Sequence, residues 1–478
     1  IASILTERLG NYFLLVCGDE QSAKKGCGCA DGNFSVKQAA QLLREHQKAC
    51  HIAFIDLEKA YDTVNRELLW KILHRFGIPE NVIMVIQKLY SNLLIHIKID
   101  GVVAAHGCTT GVKQGDPLAA VLFAFLMDAV SRAAEREWIE QGIQTPDFRW
   151  LPDTKTGRNK GRPRGRLTGG LWKNKGTAIS LWKSFYVDDC AFIFMTREDA
   201  TKGMRLIIRI FREFGLTIHT GRVSNKSKSK TEILYIPTDC KREYSSFGDE
   251  IEDISIDEDR FVSYCSDFKY LGSEIDYKLI DDHDVNKRIT KARQLFYAWR
   301  EEVYQDQDLP VEYRVKLYTA LVVNTLLWGC ESWALKKEHI RRLESFHHTC
   351  LRSILRISKL QRITNVEIRR RANNALPMET QMELRRCRWL HKISHMPEER
   401  IPRQLFAAWH HSSRKRGRPY QTIRHGYSNT LRTLGFTGDD CNILDRWMPL
   451  ARDTARWAQR VEWKLELAPG SFLSMYRG

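Results

Sequence analysis

Two neighbouring aspartates interrupt an otherwise apolar run, Phe185-Tyr186-Val187-Asp188-Asp189-Cys190, and no other stretch limits the fold as strongly. Leu181 before it and Phe192 and Phe194 after it alternate with other residues, which predicts two half-buried strands joined by a turn carrying both acids. Adjacent carboxylates repel one another and are costly to bury, so metal or protons must offset their charge. Mg²⁺, a hard ion held by one or two carboxylates together with substrate phosphates, suits such a place. The competing reading is a solvated turn in which aspartates serve only as turn formers.

A third acid follows the same logic, because the apolar run Ile52-Ala53-Phe54-Ile55 ends in Asp56 and predicts a buried strand. Three stretches, taken in order, then resemble successive motifs of reverse transcriptases, specifically those of non-LTR (LINE-type) retrotransposons. They are Phe54-Ile55-Asp56-Leu57-Glu58-Lys59-Ala60-Tyr61-Asp62, Gly111-Val112-Lys113-Gln114-Gly115-Asp116-Pro117-Leu118 and Tyr186-Val187-Asp188-Asp189. The resemblance implies RNA-directed DNA synthesis, in which two Mg²⁺ ions, replaceable by Mn²⁺, assist nucleotidyl transfer from a dNTP to a primer 3′-hydroxyl. Two such ions about 3.5–4 Å apart activate the attacking oxygen and neutralise the leaving one. Asp56, Asp188 and Asp189 are the implied catalytic ligands, with the Leu57 carbonyl completing the shell.

Other roles come from the same resemblance. Tyr61 is expected under the sugar of the incoming nucleotide, where its ring would exclude a 2′-hydroxyl, and Gln114 and Gly115 are expected along the nascent base pair. Ser227-Lys228-Ser229-Lys230-Thr231-Glu232 resembles a fourth motif, which puts Lys230, or Lys228 two residues earlier, near the triphosphate. Phe268-Lys269-Tyr270-Leu271-Gly272-Ser273 resembles the primer grip, which with Tyr186 would contact primer and template. Ala119-Ala120 stands where the family usually has Ser-Pro, and Lys113 where arginine is commoner. Lys24 and Lys25 fall where a second fingers motif would lie, with a solvated loop as the alternative.

Charge points to the same partners, since a net charge of +17 favours a polyanion through counterion release. The expected partners are an RNA template, a DNA primer or target DNA, and dNTPs; oligomeric state is not legible. Twelve cysteines without a regular framework argue for reduced thiols and an intracellular protein, in nucleus or cytoplasm. Cys27-Gly28-Cys29 and the set Cys387, His391 and His395 lack paired zinc spacing. No uninterrupted apolar stretch reaches the roughly 20 residues of a membrane span, so no membrane is expected. A chain that begins at Ile1 is expected to be a piece of a longer reading frame, and no stretch resembles the endonuclease of such elements.

The expected architecture is α+β: a right-hand polymerase palm with partial fingers over 1–280, an all-α thumb over 281–400 and a basic helical C-terminal region over 401–478. A helix around Ile4, Leu5 and Leu9, a Gly/Cys-rich loop from Cys27 to Gly32 and a helix from Val36 to Leu43 lead to the Asp56 strand. Residues 143–177, with Lys155-Thr156-Gly157-Arg158 at their heart, read as a basic insertion that a polyanion could order or that is merely solvated. Residues 239–265 read as acidic and irregular. In the helical half, Ile289, Ala292, Phe296, Trp299 and Val303, then Leu317, Leu321 and Leu327, recur at core spacing. Arg341, Arg342, Arg352, Arg356, Arg362 and Arg369-Arg370-Arg371 are expected to grip duplex phosphates. Trp328-Gly329-Cys330-Glu331-Ser332-Trp333, Arg388-Trp389-Leu390 and Arg416-Gly417-Arg418-Pro419 resemble the region downstream of the polymerase in these elements. A domesticated, inactive copy that still binds RNA–DNA duplex, and a polymerase that copies DNA or needs no template, are the alternatives.

Overall fold

The aspartate hairpin lies in a seven-stranded sheet in the computed structural model. Described are all residues except 19, 21–23, 101, 151–175, 239–250, 413–420, 438–443 and 475–478. The chain forms two units that interleave along the sequence. The first comprises residues 1–32, 48–146 and 180–268; the second comprises 33–47, 147–179 and 269–478.

In chain order the elements are α1 (Ala2–Val16), α2 (Cys29–Glu45), β1 (Cys50–Ile55), α3 (Arg66–Arg75), α4 (Glu80–Tyr90), β2 (Leu94–Ile99), β3 (Val102–Gly107) and α5 (Pro117–Glu140). They continue with β4 (Asp147–Trp150), β5 (Thr177–Ser180), β6 (Lys183–Tyr186), β7 (Asp189–Phe194), α6 (Arg197–Glu213), β8 (Gly221–Arg222), β9 (Glu232–Ile236), β10 (Ile254–Ser255) and β11 (Arg260–Cys265). The hairpin β12 (Asp267–Tyr270) and β13 (Ser273–Asp276) precedes a helical series that opens with α7 (Asp282–Ala298).

The large sheet has the order β10-β11-β9-β1-β7-β6, with β8 added to β11. β1 is central: it pairs antiparallel with β7 from His51↔Phe194 to Ile55↔Cys190, and with β9 from Cys50↔Ile236 to Phe54↔Glu232. Every residue of β1 is buried, as the apolar run before Asp56 predicts, and Cys190–Phe194 of β7 are buried too, so β7 is not the half-buried strand expected. Each fully buried Phe or Ile contributes roughly 1.5–3 kcal/mol, so this sheet is a stiff base for whatever sits at its end. Residues 251–265 are more regular than expected, since β10 and β11 extend the sheet.

Helix α5 starts as the sequence dictates: Asp116 accepts the Leu118 N–H at 3.0 Å, and Pro117 supplies a preset first turn. By length and composition it could cross a membrane, but Asp128, Arg132 and Glu135 interrupt its apolar run, and 67% of its apolar window is buried against neighbours including α1, α3 and α6. Phe125, at 4.8 Å from Phe13 and 5.2 Å from Phe76, shows why: this is a core helix of the first unit. Asn65 caps α3 by accepting the Leu68 N–H at 3.1 Å. The Gly/Cys loop is shorter than expected, because α2 already begins at Cys29.

In the second unit, Asn33–Leu43 of α2 are buried throughout; Phe34 packs on Trp389, Phe406 and Tyr427, and Lys37 pairs with fully buried Asp281. The helices α8 (Val311–Tyr318), α9 (Asn324–Leu326), α10 (Lys337–Ile354), α11 (Asn365–Arg371) and α12 (Met378–His395) share a core that includes Phe296, Tyr318, Leu343 and Leu351. Trp299 and Leu321 are exposed instead of buried, because the chain passes into wider π-helical turns at Arg300–Tyr304 and Thr319–Val323 that shift the apolar period. Several arginines expected to grip phosphate are held by this unit's own acceptors. Arg342 donates to Asn286 and Asp282, Arg356 to the Gln305 carbonyl, and Arg370 and Arg371 to Glu367. The ends of the basic insertion pair as β4 and β5, while its residues 151–175 and the stretch Arg416-Gly417-Arg418-Pro419 lie outside the described residues.

Candidate active site

The end of β1 is fixed from one side. The Thr231 hydroxyl accepts the Asp56 N–H at 3.1 Å, the His219 N–H donates to the Asp56 carbonyl at 2.9 Å, and the Glu58 N–H donates to the Thr217 carbonyl at 2.8 Å. Leu57 lies opposite Ile218 between these bonds. Because polar groups of successive residues in an extended strand point to alternate edges, the Leu57 carbonyl turns toward the other edge, where β7 runs. The β1–β7 register ends at Ile55↔Cys190, and one further step sets Asp56 opposite Asp189. Directly opposed positions have Cβ atoms about 4.5–5.5 Å apart.

β6 pairs with β7 through Tyr186↔Asp189, so the turn consists of Val187 and Asp188 alone, and Asp189 is a strand residue instead of the turn residue expected. Val187 has φ +60, a left-handed conformation that a β-branched residue seldom adopts and that costs on the order of 1–3 kcal/mol. Asp188 and Asp189 are exposed and Asp56 is half-buried. Neither Asp56 nor Asp188 has a side-chain hydrogen bond or ion pair among the described residues. The register brings these carboxylates to one end of the sheet, each an oxygen donor of the kind that a hard divalent cation takes.

Tyr61 joins this group through its electrostatics. Burial, and then the Asp188 carboxylate, raise its phenol above the ordinary value of 10, which puts the two side chains within electrostatic reach. Its ring stacks on Phe123 of α5 at 4.9 Å and 12°. The Gly111–Asp116 loop is tied to the same place, since the Val112 N–H donates to the Tyr61 carbonyl at 2.8 Å. Gly111 has φ +77, and a Cβ there would lie 2.7 Å from the Asp62 carbonyl oxygen, so only glycine permits this approach. Gln114 and Gly115 are exposed in the loop that results.

Lys230 is exposed beside Asp56's support: its N–H donates to His219 Nδ1 at 3.3 Å. Lys228 is exposed as well. The stretch resembling a primer grip is divided between the units. Phe268, in the first, stacks on Phe54 of β1 at 4.3 Å and 1°. Lys269, Tyr270, Leu271 and Gly272 belong to the second, where Leu271 (φ +45) and Gly272 (φ +81) form a tight turn whose Leu271 carbonyl accepts from Asn33 at 3.3 Å.

Three supports escaped sequence reasoning. Arg66 donates to the carbonyls of Gly111 (2.8 Å), Cys108 (2.9 Å), Thr110 (2.9 Å) and Tyr90 (3.2 Å), and so holds the glycine loop. A signal existed: a cation in the first turn of α3 opposes the helix dipole, so another interaction must retain it. Behind the hairpin, nearly buried Lys183 of β6 pairs with Glu20 at 2.8 Å and Glu135 at 3.0 Å. Burial pushes the Glu20 carboxyl up, but the Lys183 charge and hydrogen bonds from Lys183 and Ser131 hold it below its ordinary value. The Cys29 side chain, then burial and the Asp189 charge, raise the Tyr186 phenol above its ordinary value. Burial, followed by Asp189 and Asp188, pushes the Cys190 thiol far up, so it is no nucleophile.

The family described as reverse transcriptase (RNA-dependent DNA polymerase) matches residues 2–275. The Pol polyprotein of the type-2 retrotransposable element R2DM of Drosophila melanogaster is 31% identical over 111 residues, 23% of this chain and 10% of that protein. That of the type-1 element R2 of Nasonia vitripennis is 30% identical over 133 residues, 27% of this chain and 13% of that protein. The matched stretches thus span about a tenth of these relatives' length. Apo telomerase from Candida tropicalis aligns over 97% of this chain and 60% of that one, at a TM-score of 0.40 and 11% identity.

Proposed function

The chain belongs to the reverse transcriptase family, with relatives among the Pol polyproteins of non-LTR R2 elements, and on that premise we propose that it copies RNA into DNA. The single observation that carries the proposal is the register that ends β1 and β7 side by side, so that Asp56 and Asp188-Asp189 leave the sheet at the same place.

In this reading Asp56 and Asp188, with the Leu57 carbonyl and more weakly Asp189, hold two Mg²⁺ ions, which Mn²⁺ can replace. The bound ions lower the cost of the 3′-alkoxide and of the leaving pyrophosphate. The primer 3′-hydroxyl gives its proton to solvent as its oxygen bonds to the α-phosphorus of the dNTP, the bond to the bridging oxygen breaks, and pyrophosphate leaves with that electron pair. Tyr61, its ring fixed by Phe123, blocks a 2′-hydroxyl, which selects deoxynucleotides. Gln114 and Gly115 line the new pair, Lys230 attracts the triphosphate, and Tyr186 with Phe268 to Gly272 steadies primer and template. The +17 net charge supports RNA and DNA as partners. We place the protein inside the cell, in nucleus or cytoplasm, in keeping with twelve cysteines set in no regular framework.

Primer extension on matched RNA and DNA templates with Mg²⁺ or Mn²⁺ tests the proposal. Product on RNA that disappears in Asp188→Asn supports it. Product on DNA alone would make the chain a DNA-templated enzyme, and binding without product would make it an inactive remnant.

A further inference from the structure

Helix α10 of the second unit borders two concave pockets that the polymerase chemistry does not use. One, of about 580 Å³, is lined by Arg341, Arg352, Lys359 and Arg369 with Glu344 and His348. The other, of about 540 Å³, is lined by Arg293 and Arg300 with Tyr297. Both are the size of pockets that hold small ligands, roughly 300–1,000 Å³. Ser345 and Thr349 line both, so the pockets are neighbours across one stretch of helix surface.

The positive charge of the first pocket is not consumed by the fold. Arg341 and Lys359 have no side-chain hydrogen bond or ion pair among the described residues. Arg352 donates to the Ile363 carbonyl through one terminal nitrogen, while its other, Nη1, is buried and unpaired. Arg369 donates to His348 Nε2 at 3.0 Å, so the His348 proton sits on Nδ1, where it bonds the Glu344 carbonyl at 2.8 Å. That tautomer is neutral, in keeping with a pKa lowered first by burial. Four cations therefore face one carboxylate, and Glu344 Oε1 is already engaged by the Met378 N–H at 2.6 Å. In the second pocket Tyr297 is 55% exposed, and the Arg300 guanidinium lies over its ring at 5.6 Å.

We propose that this pair of pockets binds a single strand of RNA, with phosphates in the Arg341–Lys359 pocket and an unstacked base against Tyr297. A duplex offers a ridge of phosphates and keeps its bases stacked inside, whereas a phosphate pocket beside an exposed aromatic fits a strand whose bases can splay out. Ser345, exposed between the pockets with no side-chain partner among the described residues, offers a hydroxyl to a ribose 2′-OH. The proposal deepens the reading above and rests on it only in choosing RNA over DNA.

The test is fluorescence anisotropy of the full chain with a labelled oligouridylate, in chelator so that no synthesis occurs. The double variant Arg341→Ala/Lys359→Ala should bind about tenfold or more weakly, and the slope of log affinity against log salt should fall by about 1.4, or roughly 0.7 per lost contact. Tyr297→Ala should weaken binding by about five- to a hundredfold, the loss of one stacked base, and Tyr297→Phe should restore it. A blunt RNA duplex should compete poorly, and oligodeoxyuridylate should bind less tightly than oligouridylate. Unchanged affinity in the double variant, or equal competition by duplex, overturns the groove; equal affinity for the two oligomers overturns the choice of RNA. Because binding is read without turnover, a chain that makes no DNA would sink the polymerase reading and leave this measurement intact.

Discussion

The two units treat their carboxylates in opposite ways. At the end of its sheet the first unit leaves Asp56 and Asp188 without a protein cation, whereas the second closes Asp281 on Lys37 and Asp284 on Arg288, all of them buried. Paired, buried acids have their charge offset within the fold, and breaking one pair strands a charge. Unpaired acids at a rigid strand end can accept a cation from outside. Isolated acids are therefore better guides to chemistry here than the more numerous ion pairs.

The sharpest way to break this contrast is to neutralise one member on each side. Asp188→Asn should cut primer extension by about a thousandfold or more, since it removes a metal ligand, and should shift stability by no more than about 0.5 kcal/mol. Single-turnover extension and urea unfolding would check both. If Asp188→Asn instead unfolds the chain, the acid is structural. Lys37→Met should do the reverse and cost about 3–5 kcal/mol in urea unfolding, because fully buried Asp281 loses its partner.

Lys183 tests whether the contrast is one of units or of positions, because the first unit also buries one pair behind the hairpin. Lys183→Met should cost about 3 kcal/mol by stranding Glu20, and extension should fall as β6 loosens. A stable variant with normal extension would show that the hairpin needs no such support.

Acid should separate the units more gently. His51, in the first, is held down to about 4, first by burial and then by Arg197. Unfolded chains bind its proton below about pH 6.5, so stability is lost as pH falls from about 6.5 to 4. His347, in the second, is depressed by burial to about 3 and acts in the same sense. Asp276, also in the second, is raised by burial to about 6, so its folded form binds more protons between about 3.8 and 6 and gains stability as pH falls through that window. Hydrogen exchange at pH 7 and 5 should therefore show protection falling more in β1 than around β13. Equal losses would remove this difference. The smallest effect is expected at Val187, where Val187→Gly should relieve the turn and change stability by no more than about 1 kcal/mol. It should also lower extension a few-fold by loosening Asp188; an unchanged rate would mean that the strained turn has no part in aiming it.

Much of the site was legible because chemistry repeats locally. An apolar run ending in an acid gave the Asp56 strand. The legible part stops where distant segments meet. Burial of Asn33–Leu43 in the second unit, the Arg66 clasp and the Glu20–Lys183 pair join residues from 24 to more than 230 positions apart, as Arg66 to Tyr90 and Asn33 to Leu271 do. Trp299 is exposed because a π-helical turn moves the period by one residue, which no spacing rule anticipates.

Sequence alone determined which residue types could do chemistry and the order in which they come, because strand periods, caps and motif spacing are properties of neighbours along a chain. Only the tertiary structure decided which of those acids remain open and which cations remain unspent. Whether a charge finds a partner depends on the few ångströms around it in space, and those neighbours are set by packing between segments that are remote along the polypeptide.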